Sequence, residues 1–230
     1  MHPSLTRSIA LFGTDMLNCL QQTRVLIVGI GAVGGACAES LARSGIGTLI
    51  LMDGDCFDIT NLNRQPFASL SAVGRPKTDV TAERLHDIAP TCIVETRFSR
   101  LLPEDASALL TEVRPDTIID AIDDLPAKLA LLEAAHRANI PIRSAMGAAR
   151  KTDPTRLRIT DISKTQVCPL ARAVRLGLRA RGITRGIRCV WSDEPALPLR
   201  EGTLGSCMPV TAAVGLLLAA DLLRALTPDA

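Results

Sequence analysis

The sequence predicts an α/β fold: a doubly wound, mostly parallel sheet extended by C-terminal strands and helices. Three observations lead there. Short apolar runs of strand length alternate with longer stretches of helical spacing, which is the signature of strand–helix–strand units. A glycine-rich turn joins the first run to the first such helix. The 230 residues are 47% hydrophobic with mean hydropathy +0.23, enough to fill a core beneath such a sheet and too apolar for a disordered chain.

The elements follow in order. RVLIVG (24–29) is an apolar run that meets the glycine turn, and small periodic residues continue as a helix up to Gly45. TLILMD (48–53) is a second buried-type strand that ends in an acid. After a polar loop, a helix is expected from Lys77 to Ala89, stopped by Pro90, and then a strand near 92–97. DTIIDAID (116–123), a helix over 127–138 and the strand IPIRSA (140–145) complete the alternation. A Rossmann-like core over residues 20–150 results, preceded by an N-terminal helical arm (1–20).

Beyond Ala149 the texture changes, although the whole chain reads as one domain. LRITDIS (157–163) and IRCVWS (187–192) look like strands that widen the sheet. Between them lies an amphipathic helix, with Arg172, Arg175 and Arg179 on one face and Leu170, Val174 and Leu178 on the other. A Pro- and Gly-rich loop then leads to an apolar helix over about 210–226. Residues 151–230 are therefore expected to form a substrate-binding extension.

Net charge is only +2, but it is unevenly spread. Residues 140–200 hold 13 Lys/Arg against 4 Asp/Glu, a net of +9, and the remainder carries −7. Such a basic stretch suits a polyanionic partner docking at one place, although basic segments are usually just solvated. Seven cysteines form no CxxC pair, and an odd count without paired spacing points to a reducing, cytoplasmic compartment and away from structural zinc. Most are expected to be small core residues. No apolar run is expected to span a membrane, because Asp221 interrupts the best candidate, and no signal peptide is expected.

Gly29, Gly31 and Gly34 form GxGxxG between strand and helix. Gly29 allows the tight turn, Gly31 lets backbone approach a phosphate, and Gly34 permits close helix packing. Asp53, 19 residues after Gly34, stands where ribose hydroxyls would need an acceptor. NAD is the default ligand of such a turn. The loop that follows argues otherwise, because NLNRQ supplies Asn61, Asn63, Arg64 and Gln65, and Lys77 opens the next helix. Two cations at one crevice suit a triphosphate under attack better than a dinucleotide awaiting hydride. DAIDD adds Asp120, Asp123 and Asp124, where a carboxylate could hold Mg²⁺ against phosphates or simply cap a helix.

VGIGAVGG, LMDGD, NLNRQ, Lys77 and DAIDD, in that order, resemble the ATP-dependent adenylating family of ThiF, MoeB and the ubiquitin-activating enzymes. The resemblance implies ATP and Mg²⁺ as cofactors. It implies a binding set of Gly29, Gly31, Gly34, Asp53, Asp55, Asn61, Arg64, Gln65, Lys77 and Asp123. Within it Asp53 would take the ribose, Asn61, Arg64 and Lys77 the phosphates, and Asp123 the metal. Arg7, in the RSIALFG segment, would reach the partner site of a homodimer, so that Arg7, Arg64, Lys77 and Asp123 make the catalytic group.

ThiF- and MoeB-type members carry two CxxC pairs, which this sequence lacks. Its segment 153–183 resembles instead the tRNA threonylcarbamoyladenosine dehydratases. That branch implies adenylation and cyclisation of a threonylcarbamoyl carboxylate on tRNA, with Lys164, Arg172, Arg175, Arg179 and Arg181, and Arg185 nearby, facing the tRNA backbone. Some relatives have a cysteine near Cys207 that accepts sulfur from a cysteine desulfurase; an incidental or buried cysteine is the favoured reading here. Cys168 has no role that can be argued. The competing functions are an adenylating enzyme for a ubiquitin-like or sulfur-carrier protein tail and, from another class, an NAD-dependent oxidoreductase.

Overall fold

A computed structural model describes residues 2–200, 202 and 204–227. Seven strands form one sheet: β1 (Arg24–Val28), β2 (Thr48–Met52), β3 (Ile93–Arg97), β4 (Thr117–Asp120), β5 (Ile142–Ala145), β6 (Leu157–Asp161) and β7 (Arg188–Ser192). Their order is β3-β2-β1-β4-β5-β7-β6, parallel throughout except for β6, which runs antiparallel to β7. The fold class is the one the sequence predicts. From β1 the chain steps outward through β2 and β3, then returns to lay β4 on the other side of β1. That reversal opens a crevice at the carboxyl ends of β1 and β4, where ligands of open α/β sheets bind.

The central strands are buried on both faces, and alternate side chains separate into two cores. Val25, Ile27, Leu49 and Leu51 pack under α1 (Thr6–Gln22), α2 (Ala32–Ser44), α3 (Lys77–Ile88) and α7 (Met208–Leu226). Leu26, Val28, Ile50 and Ile118 pack under α4 (Ala106–Val113), α5 (Leu125–Arg137) and α6 (Pro169–Ala180). Eight-residue α4 has no counterpart in the sequence expectation. Helix α5 begins two residues before the expected 127, because the Asp124 carboxylate accepts from the Ala127 amide at 2.9 Å and caps it. Helix α1 is kinked at Gly13, whose φ of +80° breaks the helical run.

Helix α7 corrects one expectation. By length and composition it is apolar enough to cross a membrane, Asp221 notwithstanding. Here it is a core helix laid along α2, so close that a Cβ on Gly215 would collide with the Val33 carbonyl. Asp221 adds a polar anchor to this otherwise apolar face. Its carboxylate accepts from Arg143 Nε at 2.8 Å and pairs with Arg188, tying α7 to β5 and β7. Burial pushes the Asp221 carboxyl up, but the two guanidinium groups outweigh burial and hold it below the usual carboxylate range.

Of the seven cysteines, Cys37, Cys92, Cys168 and Cys189 are buried, Cys207 is half-buried, and Cys19 and Cys56 are exposed. Burial pushes the Cys92 thiol up to about 11 and the Cys189 thiol up to about 12, so both remain protonated core groups.

Candidate active site

A cleft of about 780 Å³ opens over the carboxyl ends of β1, β2 and β4. Its floor is the glycine turn. Gly29 has φ +90°, and a Cβ there would lie 2.7 Å from the Ala121 carbonyl oxygen. A Cβ on Gly34 would collide with the Gly29 carbonyl, so both positions exclude side chains for packing reasons. Gly31, which lines the cleft, precedes α2 without a side-chain cap, leaving the first-turn amides and the positive helix end for an anion.

Four further segments converge on this floor. Asp53, just past β2, uses one carboxylate oxygen to accept from the Ile30 amide (2.6 Å) and the other from the Asp55 amide (2.8 Å). Its position is thus locked to the glycine turn. Lys77, at the first residue of α3, is only 7% exposed, and its ammonium donates to Asp55 at 3.0 Å. Arg64 lines the cleft and donates to the Thr60 carbonyl (2.9 Å) and to Asn63 Oδ1 (2.8 Å). Gln65 is buried beside Gly31, with Oε1 lacking a hydrogen-bond partner, a polar atom already desolvated at the cleft wall. Asp123 is exposed at the opposite rim.

Several expected residues lie elsewhere. Asn61 does not line the cleft; its Oδ1 accepts from the Asp58 amide at 3.1 Å in a capping box around the Ile59–Asn61 turn. Asn63 donates to the Ser206 carbonyl (2.9 Å), joining this loop to the segment before α7. Asp120 is not in the crevice but beneath it, fully buried, accepting from Lys128 (2.7 Å) and Ser144 (2.6 Å). Asp124 lines the rim but serves as the α5 cap. Arg7 is exposed on α1, away from its own chain's cleft. Cys207 also lies off the cleft, at the position capping α7, its thiol 3.7 Å from the Lys151 carbonyl.

One charged lining residue escapes the sequence reading. Arg100, beyond β3, donates to Asp55 at 2.6 Å, so Asp55 is shared between two cations. Burial pushes the Asp55 carboxyl up, but the hydrogen bonds from Lys77 and Arg100 outweigh burial and lower it overall. The available signal was positional: β3 ends on the same edge as β2, so the FSRLLP loop after it must overhang the same cleft.

A nucleotide-sized cleft, a phosphate-binding turn and paired cations are compatible with several enzyme classes. Sequence comparison decides between them, because the ThiF family model matches residues 5–229. The chain belongs to the ThiF family. Among its relatives, the tRNA threonylcarbamoyladenosine dehydratase of Bacillus subtilis is 42% identical over 196 residues, covering 85% of this chain and 77% of the relative. Yeast (Saccharomyces cerevisiae) tRNA threonylcarbamoyladenosine dehydratase 1 is 37% identical over 87% of this chain, which spans about half (47%) of that longer protein. The Escherichia coli tRNA N6-threonylcarbamoyladenosine dehydratase TcdA, solved in complex with ATP, superposes with a TM-score of 0.90 at 34% identity, covering 97% of this chain and 93% of that one.

In this ThiF family member the basic face of α6 is narrower than expected. Val174 and Leu178 are buried and Leu170 half-buried, as the periodicity requires. Arg175, however, donates to the Thr165 carbonyl at 2.8 Å, and Arg181 pairs with Glu133 at 2.9 Å. Those two guanidiniums are engaged by groups of the chain itself. Arg172, Arg179, Lys164 and Arg185 are exposed and form no ion pair among the described residues.

Proposed function

We propose that the protein catalyses the ATP-dependent dehydration, by cyclisation, of threonylcarbamoyladenosine in tRNA through an acyl-adenylate. The observation that carries this reading is the convergence of the glycine turn, Asp53, Arg64, Lys77 and Asp123 on one cleft in a chain 42% identical to a dehydratase of that name. Asp53 receives the ribose hydroxyls. Gly31 and the α2 amides take the phosphates together with Arg64 and Lys77, which stabilise the charge that builds as the substrate carboxylate attacks the α-phosphate and pyrophosphate departs. Carboxylate oxygen has then become a good leaving group, and an internal nitrogen closes the ring as AMP is lost. The balance is one water removed from the nucleoside at the cost of ATP cleavage.

Asp123 fits Mg²⁺, since its exposed carboxylate has no hydrogen-bond partner among the described residues and a hard oxygen ligand with phosphates makes a suitable shell. The ion would supply charge neutralisation on the phosphates. The reading includes a homodimer in which Arg7, exposed on α1 and not lining the cleft of its own chain, serves the partner's nucleotide. Arg172, Arg179, Lys164 and Arg185 form the tRNA-facing patch, and the reaction takes place in the cytoplasm.

The test is nucleoside mass spectrometry of tRNA incubated with protein, ATP and Mg²⁺. Threonylcarbamoyladenosine is expected to lose the mass of one water. Unchanged tRNA together with adenylation of a small carrier protein would overturn the reading. In the same assay, Arg172→Glu with Arg179→Glu is expected to weaken tRNA binding about tenfold or more at moderate salt while sparing ATP binding; unaltered tRNA affinity would remove α6 from the interface.

A further inference from the structure

The cleft presents a charge problem to the ligand proposed for it. Among the described residues, Asp53, Asp55, Asp123 and Asp124 line it against three cations, Arg64, Lys77 and Arg100. A polyphosphate entering here meets more carboxylates than bases. Asp55 is central, because it holds the ammonium that a phosphate needs. Lys77 binds Oδ2 at 3.0 Å, and Arg100 binds Oδ1 at 2.6 Å. Each oxygen therefore has its own cation, and one bond can break while the other stays. The two cations differ in setting: Lys77 is enclosed at the cleft wall, whereas the Arg100 side chain is 77% exposed and flanks the opening.

Arg100 is built into this place. Its stem crosses directly over Gly54, where a Cβ would collide with Arg100 Cγ and lie 2.7 Å from the Arg100 amide nitrogen. Its guanidinium charge is favoured first by Asp55, and also by Asp53 and Asp123 across the cleft. An exposed ion pair of this kind adds little to stability, so folding does not account for the arrangement.

Resting on ATP as the ligand of this cleft, we propose that Arg100 is a positioning residue: it retains Asp55 when Lys77 turns to the phosphates, and neutralises a carboxylate that would otherwise repel them. Lys77 can then exchange one oxyanion for another without leaving a bare charge behind. Arg100 acts through Asp55 and has no contact of its own with the base.

The proposal is tested by measuring binding of ATP and of adenosine, and KM and kcat, for the wild type, Arg100→Ala, Arg100→Lys and the double variant Asp55→Asn with Arg100→Ala. Arg100→Ala is expected to raise Kd and KM for ATP about fivefold, the size of one close charge interaction in a largely aqueous setting, with kcat within about twofold. Adenosine binding stays at the wild-type value, and Arg100→Lys recovers most of the ATP affinity. In the double variant the uncompensated charge is gone, and ATP affinity recovers above that of Arg100→Ala. A double variant as weak as Arg100→Ala, or an equal loss for adenosine, overturns the proposal. Direct ATP binding separates this outcome from the tRNA reaction: a protein that binds ATP yet leaves tRNA unchanged refutes the proposed substrate and leaves the Arg100 test intact.

Discussion

Replacing Lys77 with alanine is expected to slow adenylate formation about a hundredfold or more, the usual loss when a charge-stabilising donor leaves an enclosed site. The measurement is ATP–pyrophosphate exchange in the presence of modified tRNA. Three features make this position severe. The ammonium is 7% exposed, so water cannot replace it well. It stands at the first residue of α3, where the backbone is fixed by the bond from the Lys77 amide to the Asp55 carbonyl at 3.0 Å. And its partner Asp55 lines the same cleft, so the ammonium is held at the cleft wall. Asp55 keeps Arg100 in the variant, so no carboxylate is orphaned and the melting temperature changes little. Exchange within about threefold of wild type would remove Lys77 from the reaction.

The second large effect falls on stability. Lys128 and Asp120 are both 0% exposed and form an ion pair at 2.7 Å, with Ser144 completing the carboxylate's bonds at 2.6 Å. Lys128→Met keeps the volume but leaves Asp120 charged and dry, a loss of about 3–5 kcal/mol by urea denaturation. Adding Asp120→Asn is expected to recover part of it, since the stranded charge is then gone. A loss below about 1 kcal/mol would mean that the pair is not the anchor of this turn. The damage also reaches the cleft. Asp120 Oδ1 accepts from the Ile122 amide at 3.1 Å and so shapes the turn that carries Asp123.

How much of this could be read in one dimension follows from the kind of burial each residue experiences. Strands β1 and β2 are covered on both faces, so RVLIV and TLILM are continuous apolar runs bounded by turns, and their positions follow directly. Helix α6 is half-covered and shows its periodicity, whereas α4 has only two turns, too few for a period to stand out. Gly29, Gly31, Asp53, Arg64, Gln65, Lys77 and Asp123 come together because each follows the carboxyl end of a strand or opens a helix beside it. Local pattern failed where a side chain's partner was hidden. Asn61 is taken by a backbone amide three residues away, Asp120 by a lysine from the next helix, and Arg175 by a carbonyl in the preceding loop. Arg100 could not be recognised for the same reason: the carboxylate that gives it meaning lies 45 residues earlier.

The seam between α2 and α7 carries a consequence for the order in which the molecule can be completed. On the ribosome, α2 is made early and α7 only after every strand of the sheet, so about 180 residues separate Val33 and Gly215 at this contact. Until α7 arrives, the small-residue face of α2 around Ala36 and Cys37 and the sheet beneath it lack their cover, and Arg143 waits without Asp221. The nucleotide-binding half can therefore be drawn as strands and turns before it can be sealed as a core. Folding of that face is coupled to α7, so the helix that follows the phosphate-binding turn gains its cover from chain synthesised long after it.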